Sequence, residues 1–417
     1  MRIDKLSGLT AIAAVSSLPG ALAWGAAGHE IVATIAQMHL YPPVLPIICS
    51  ILNPDDIHSL VNSSSDSIPT PTSTAPCHLA TVAAWADTVR RQRGYGWSGT
   101  LHYINALDDH PSETCKFPGE RGWAGRDGHN VLGAIRNVTD LLQEFKRGLV
   151  GALGRVDDAE EMLKFLIHFV GDMHQPLHLS GRERGGNGVK VHWDNRVTNL
   201  HSLWDGLLIA KALRSIPSNY TRPLPVPGIE ANLRDTIYDP FIRKIMWEGL
   251  GVGPPSEVRG RWEFEAEEWT ECPEFPEFGT TTSWMQTVMG YMWPTWTWVT
   301  GQNERKKVEL GWDDNVLCPY AWAQPLHQLN CDLIWPPEID EPPYNLREWQ
   351  AFMDGKVDAH ATAPRTPYLE LDTPKYAGRI EKEWVLEKLL AQAGVRLAVI
   401  LNELFMPLVE EFELKSE

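Results

Sequence analysis

Two His-x-x-x-Asp pairs, His168/Asp172 and His201/Asp205, constrain this 417-residue chain more than any other feature. Residues four apart on an α-helix lie about 40° apart around its axis, one turn along the same face. Each pair therefore needs a helix if both side chains are to grip one ion. A lone pair of this kind reads as a surface ion pair or a capping contact. Here the pairs have company. The run HFVGDMHQPLH adds His178 beyond Pro176, which must end or bend the helix. Asp87 sits in WAD, His102 in LHYIN and His29 in WGAAGHE. Imidazole with carboxylate suits zinc and disfavours the all-oxygen cages of calcium or magnesium.

The N-terminal stretch adds an unusual donor. MRIDKLSGLTAIAAVSSLPGALA has Arg2 and Lys5, an apolar middle and Ala21-Leu22-Ala23, so residues 1–23 read as a secretory signal peptide. Cleavage after Ala23 leaves a free amine on Trp24, which can close a five-membered chelate with its own carbonyl oxygen. Such a site is completed only after export. Six cysteines, none in a C-x-x-C pair, suit three disulfides in an oxidising compartment, with fifteen possible pairings. Sequons at Asn62, Asn137 and Asn219 fit a glycosylated, extracellular protein. No later run of about 18 apolar residues stands out, so no membrane span is expected. The formal charge of -17 argues against a protein held on duplex nucleic acid by a broad basic face. It does not exclude a nucleic-acid enzyme whose positive charge comes from bound metal.

The pattern is helical over 28–40, 79–92, 129–147, 157–175, 200–214, 229–250 and 378–412. A short hairpin is expected around VKVHWD, and 62–76 reads as a surface loop. The expectation is one mainly α domain over 24–417. Residues 251–317, rich in Pro, Gly, Glu and Trp with poor periodicity, read as an insertion on that body. Its tryptophans read as packing residues, with an extra substrate platform as the alternative.

Six motifs carry a resemblance: WGAAGHE at 24–30, AAWAD at 83–87, LHYIN at 101–105, KFLIHFVGDMHQPLH at 164–178, GGNG at 185–188 and TNLHSLWD at 198–205. In order and spacing the chain resembles the zinc-dependent, single-strand-specific nucleases of fungi and plants, the S-one/P-one type. The likeness covers about 24–215 and resumes around 320–337 and 370–405. It implies a helical domain, of the type shared with zinc-dependent phospholipase C, holding three zinc ions in a cleft. One ion would take Asp87, His102, His168 and Asp172. A second would take the Trp24 amine and carbonyl, His29 and Asp172. The third would take His178, His201 and Asp205. Three Zn²⁺ bring roughly +6 against -3 from three aspartates, so the cleft would be about +3 inside an acidic protein.

The same resemblance implies cleavage of single-stranded DNA and RNA to 5′-phosphate products, and action on 3′-nucleotides, with no stable protein partner. Asp87 and Asp172 are its catalytic carboxylates. Arg90, about one turn after Asp87, matches a basic residue that faces the phosphate. Tyr103 matches a ring that stacks on an unpaired base. Asn105 departs from the aspartate common in the family. An amide both donates and accepts, whereas a carboxylate only accepts, which leaves base preference open. Cys115 and Cys331 match positions that pair in the family. The other four remain open among three pairings, of which Cys49–Cys77 with Cys272–Cys318 is carried forward, the latter stapling the insertion. His174 reads as a core residue or a support behind the ligands, His192 as a strand residue, and the remaining histidines as surface or packing. Two other functions stand beside the nuclease: a zinc phospholipase C, which typically has Glu in place of Asp205, and a weakened secreted binding protein that uses the Trp-rich stretch.

Overall fold

The computed structural model describes residues 24–53, 77–119, 121–151, 156–234, 236–251, 259–273, 313–314, 316–356 and 367–416. The expected leader 1–23, the expected loop 62–76, Asn62 and most of 251–317 lie outside them. The described chain is mainly helical. Its longer helices are α1 (Ala26–Met38), α2 (Val44–Ile51), α5 (Val131–Gly151), α6 (Val156–Met173), α7 (Pro319–Leu329) and α8 (Val385–Ser416), with short α3 (Ala80–Ala83) and α4 (Trp85–Val89) between α2 and α5.

Local sequence sets where these helices begin and end. Asn130 caps α5, its Oδ1 accepting from the backbone N–H groups of Leu132 (3.1 Å) and Gly133 (3.0 Å). Helix α6 stops at Met173, three residues before Pro176. The expected single helix over 79–92 is broken instead at Ala84. The Ala83 carbonyl accepts a hydrogen bond from His168 Nδ1 (2.7 Å), and a carbonyl so engaged ends α3 before α4 restarts with Asp87. The expected helix over 229–250 is likewise split, into Pro227–Leu233 and a helix from Asp239.

Helix α8 forms the centre of the body and packs along α1, α2, α5 and α6. Gly394 permits the closest approach, because a Cβ there would lie 2.5 Å from Ile35 Cγ2. The stretch Val385–Met406 is long and apolar enough to cross a membrane, but 78% of it is buried inside the protein. Its apolar surface is therefore spent on the core. The expected hairpin is present: β1 (Lys190–Trp193) and β2 (Arg196–Asn199) are antiparallel. Asp194 and Asn195, both at positive φ, make the two-residue turn whose twist suits such a pair. The short β3 (Leu369–Glu370) joins β1 in parallel. β2 delivers the chain to Asn199, whose Oδ1 accepts from Ser202 N (2.7 Å) and starts the helical segment that carries His201.

Three disulfides close: Cys49–Cys77, Cys115–Cys331 and Cys272–Cys318. The last joins the two described ends of the Trp-rich stretch. Within it, Trp262 and Trp269 are buried, 5.8 Å apart, and Trp262 meets Trp384 edge-on. Arg396 of α8 donates to the Trp269 carbonyl (2.7 Å) and to His174 Nε2 (2.9 Å), tying this stretch to the end of α6. Trp284, Trp293, Trp296, Trp298 and Trp312 lie outside the described residues. Of the sequons, Asn137 and Asn219 are exposed.

Candidate metal centre

Three buried groups of potential ligands form: His29 with His168 and Asp172, Asp87 with His102 and His168, and His178 with His201 and Asp205. Every histidine and aspartate that the sequence singled out belongs to one of them. They come from separate elements: His29 from α1, Asp87 from α4, His168 and Asp172 from α6, and His178 from the turn after Pro176. His102 ends a 3-10 turn, and His201 and Asp205 bracket a switch from α- to π-helix at Leu203.

Asp172 is the hub. Its Oδ2 lies 2.8 Å from His102 Nδ1 and 3.3 Å from His168 Nε2, and its Oδ1 lies 3.4 Å from His29 Nε2. Asp87 Oδ1 is 3.8 Å from both His102 Nδ1 and His168 Nε2. In the third group His201 Nε2 lies 3.3 Å from Asp205 Oδ2. Bonds of about 2.0–2.1 Å in a tetrahedron put ligand atoms roughly 3.3 Å apart, so these separations bracket what a zinc ion requires.

Hydrogen bonding supports the same fit. His168, His178 and His201 each donate through Nδ1 to a backbone carbonyl, at Ala83 (2.7 Å), His102 (2.6 Å) and Gly185 (2.6 Å). That fixes the tautomer and turns the Nε2 lone pair inward, the usual outer support of a metal-bound imidazole. Buried atoms that make no hydrogen bond include His29 Nε2, Asp172 Oδ1, His178 Nε2 and Asp205 Oδ2. Buried polar atoms are rarely left without a hydrogen bond, and each of the three groups holds at least one such atom. The donor set fits zinc.

Several supporting residues were not legible beforehand. Gly171 admits His29 against α6, since a Cβ there would lie 2.6 Å from His29 Nδ1. The His29 and His168 rings stack at 3.8 Å. Gln175 donates to Asp205 Oδ1 (2.7 Å) while accepting from Leu177 N, which aims the carboxylate. Gly25 N donates to the Asp205 backbone carbonyl (2.7 Å), pinning the chain beside the buried Trp24 to the third group's segment. His174 is buried and bonded to Val170 and Arg396, as a core residue. Of the histidines expected in surface or packing roles, His327 packs, buried against Asp109 at 2.7 Å.

Above the groups lies a cavity of about 190 Å³. Arg90, Tyr103 and Asn105, the three expected substrate contacts, all line it, with Arg184 and Asn187 beside them. Arg90 Nη2 lies 3.1 Å from Asp87 Oδ1, so the carboxylate steers the guanidinium.

Burial dominates the electrostatics. It would raise the Asp172 carboxyl, but His168 and His102 outweigh it and hold that group well below the usual range. Burial pushes Asp205 well above its usual range, with Gln175 opposing. Burial lowers His178 to about 4, and burial together with His178 lowers His201 to about 3. Both rings are thus neutral, as ligands must be, at ordinary pH. The depressed values also set a linkage. Below pH 6.5 the unfolded chain protonates His178 whereas the folded, metal-free chain does not until about pH 4. The contribution is therefore full above pH 6.5 and lost as pH falls towards 4. A drop from 6.5 to about 4 corresponds to roughly 3 kcal/mol. Urea unfolding of chelator-treated wild type and His178→Asn is expected to show the gap between them shifting by about that amount from pH 7 to pH 4. Parallel curves would contradict the assigned environment.

Among known protein families, the S1/P1 nuclease model matches residues 24–244. The chain is 36% identical over 182 residues to nuclease S1 of Aspergillus oryzae, covering 44% of this chain and 53% of that protein. It is 35% identical over 190 residues to nuclease P1 of Penicillium citrinum, covering 46% and 60%. It is 34% identical over 198 residues to endonuclease 2 of Arabidopsis thaliana, covering 46% and 59%. In each case the matched stretch spans less than two thirds of the relative's length.

Proposed function

The chain belongs to the S1/P1 nuclease family, and on that footing we propose that it is a secreted, zinc-dependent phosphodiesterase acting on single-stranded DNA and RNA. Its products end in 5′-phosphate, and it also acts on 3′-nucleotides. The observation that carries this reading is the convergence of three buried His/Asp groups beneath a cavity lined by Arg90, Tyr103 and Asn105. The names of the relatives, nucleases and endonucleases, point the same way.

Asp87, His102, His168 and Asp172 hold one zinc; Trp24 through its amine and carbonyl, His29 and Asp172 a second; His178, His201 and Asp205 the third. Bound zinc supplies Lewis-acid charge, an activated water as nucleophile and stabilisation of the leaving oxygen. The chain's own residues supply the rest. Arg90, steered by Asp87, offers planar donors to the phosphate oxygens and to charge that develops on them. Tyr103 offers a ring face to a base, which only an unpaired base can meet. Asn105 reads or tolerates the base edge through an amide. Residues 1–23 are a leader removed on export, and the family match begins at Trp24. Three disulfides suit the oxidising secretory pathway.

The test is hydrolysis by the purified, secreted chain of a single-stranded DNA oligonucleotide, its duplex and phosphatidylcholine micelles, with added zinc and with chelator. The expected result is zinc-dependent cleavage of the single strand, leaving 5′-phosphate ends. Absence of cleavage with zinc shown to be bound would overturn the nuclease reading.

A further inference from the structure

Arg184, at the cavity mouth, has no part in the metal groups. It lines the cavity together with Arg90, Tyr103, Asn105 and Asn187. Arg90 is engaged by Asp87. Among the described residues the Arg184 guanidinium has neither an ion pair nor a hydrogen bond. Among the described residues no carboxylate lines the cavity, and the three aspartates lie buried beneath it in the metal groups.

The backbone at this point is unusual. Glu183 (φ 47°), Arg184 (φ 57°), Gly185 (φ 62°) and Gly186 (φ 80°) are four consecutive residues in the left-handed region. Two of them are not glycine, although glycine is the residue that adopts this conformation without steric conflict. The turn is held from several sides. The Gly185 carbonyl accepts from His201 Nδ1 (2.6 Å), Glu183 Oε1 accepts from Gln350 Nε2 (2.6 Å), and Asn187 Nδ2 donates to the Arg184 carbonyl (2.8 Å). A Cβ at Gly185 would lie 2.5 Å from the Leu177 carbonyl oxygen. The turn that orients a metal-facing histidine thus also presents an uncommitted guanidinium to the cavity. Strained backbone kept in place by its surroundings is a mark of a functional position.

We propose that Arg184 forms a second anion subsite, which takes a phosphate of the substrate other than the one being cleaved. A guanidinium presents paired donors matched to phosphate oxygens. Asn105, kept for the base edge, is an amide and so adds no negative charge to the same cavity. Asn187 is a positioning residue, since its amide is used on the turn. The inference deepens the nuclease reading and rests on it. A polynucleotide carries a phosphate at every nucleotide, so a second anion contact separates chains from substrates with a single phosphodiester.

The test uses three substrates on the zinc-loaded chain: a dinucleoside monophosphate with only the scissile phosphate, the same molecule with a 5′-terminal phosphate, and a trinucleotide with a second internal phosphate. Arg184→Gly is the informative variant, because φ 57° suits glycine and the turn survives. In wild type, KM is expected to be about tenfold lower for a substrate with a second phosphate, a scale set by hydrogen bonds to charged groups. In Arg184→Gly that advantage shrinks to about twofold or less with kcat little changed, and Arg184→Lys restores part of it through the charge alone. Whichever of the two phosphate-bearing substrates loses its advantage identifies the phosphate as terminal or internal. If the advantage survives in Arg184→Gly, or if all three KM values rise together, the subsite is overturned. Failure of the zinc-loaded wild type to cleave any of the three would overturn the nuclease reading itself.

Discussion

Asp172→Ala is expected to abolish hydrolysis of single-stranded DNA and to cut the bound metal from three ions to one. This carboxylate faces His102, His168 and His29 at 2.8, 3.3 and 3.4 Å, and it joins the first two groups. Without it, imidazole nitrogens converge with one aspartate, Asp87, to offset two dications. Removing one partner of a buried, paired charge set costs about 3–5 kcal/mol even before metal is considered. The rate loss is expected to be on the order of a thousandfold or more, since the charge that stabilises the transition state leaves with the ions. His102→Ala is expected to act in the same direction, by emptying the site of Asp87, His102 and His168 alone. Metal analysis separates the two variants: Asp172→Ala loses two ions and His102→Ala loses one. The third group, His178 with His201 and Asp205, does not use Asp172 and keeps its ion in both. Full activity in either variant would sink the three-ion mechanism, and three ions retained in Asp172→Ala would remove Asp172 from its role as hub.

The residues that gather at this site were legible because the local rules that place them are strong. Spacing of four on a helix puts His168 beside Asp172 and His201 beside Asp205. Pro176 had to end α6 and so free His178 to reach a different group. What remained hidden were contacts that no local pattern encodes. The helix expected over 79–92 breaks at Ala84 because His168, 85 residues away in sequence, captures the Ala83 carbonyl. The split between α3 and α4 is thus a tertiary effect imposed on an alanine-rich segment that would otherwise run on. Gly171 reads as a blemish inside a helix, yet it is the gap through which His29 enters. Gln175 sits in plain view within HQPLH, but its aim at Asp205 depends on a segment 30 residues further on. Arg184 was invisible for a deeper reason: sequence rules assign left-handed turns to glycine, and here the chain forces an arginine into one. The apolar run in α8 is legible as helix but not as core, because length and composition alone do not separate a buried central helix from a membrane span.

A single alanine left in front of Trp24 is expected to cost the protein one metal ion and most of its activity. Trp24 is fully buried, and a Cβ on Gly28 would lie 2.8 Å from its own Cβ, so α1 begins with the tryptophan packed hard against the next turn. Gly25 N is bonded to the Asp205 carbonyl. The Trp24 backbone is therefore held at a fixed place between α1, which carries His29, and the segment that carries Asp205. A free α-amine, with an ordinary pKa of about 7.7–8.0, is easily made neutral by a metal and becomes a good nitrogen donor. In an extended chain the same nitrogen is an amide, whose lone pair is committed to the peptide bond. The five-membered ring with the Trp24 carbonyl cannot then close, and the ion assigned to Trp24, His29 and Asp172 keeps only His29 and Asp172. Native mass spectrometry of the secreted chain and of the Ala-extended chain is expected to show three zinc ions and two. The activity loss is expected to be about a hundredfold or more, on the scale of losing support for one ion of a set. The buried indole gives the control: Trp24→Phe keeps the amine and carbonyl, so it should keep the ion even if packing suffers. Equal metal content in the natural and extended chains would show that the N-terminus is not a ligand. The ion assigned to Trp24, His29 and Asp172 would then have only those two side chains, and a site of that kind holds zinc poorly.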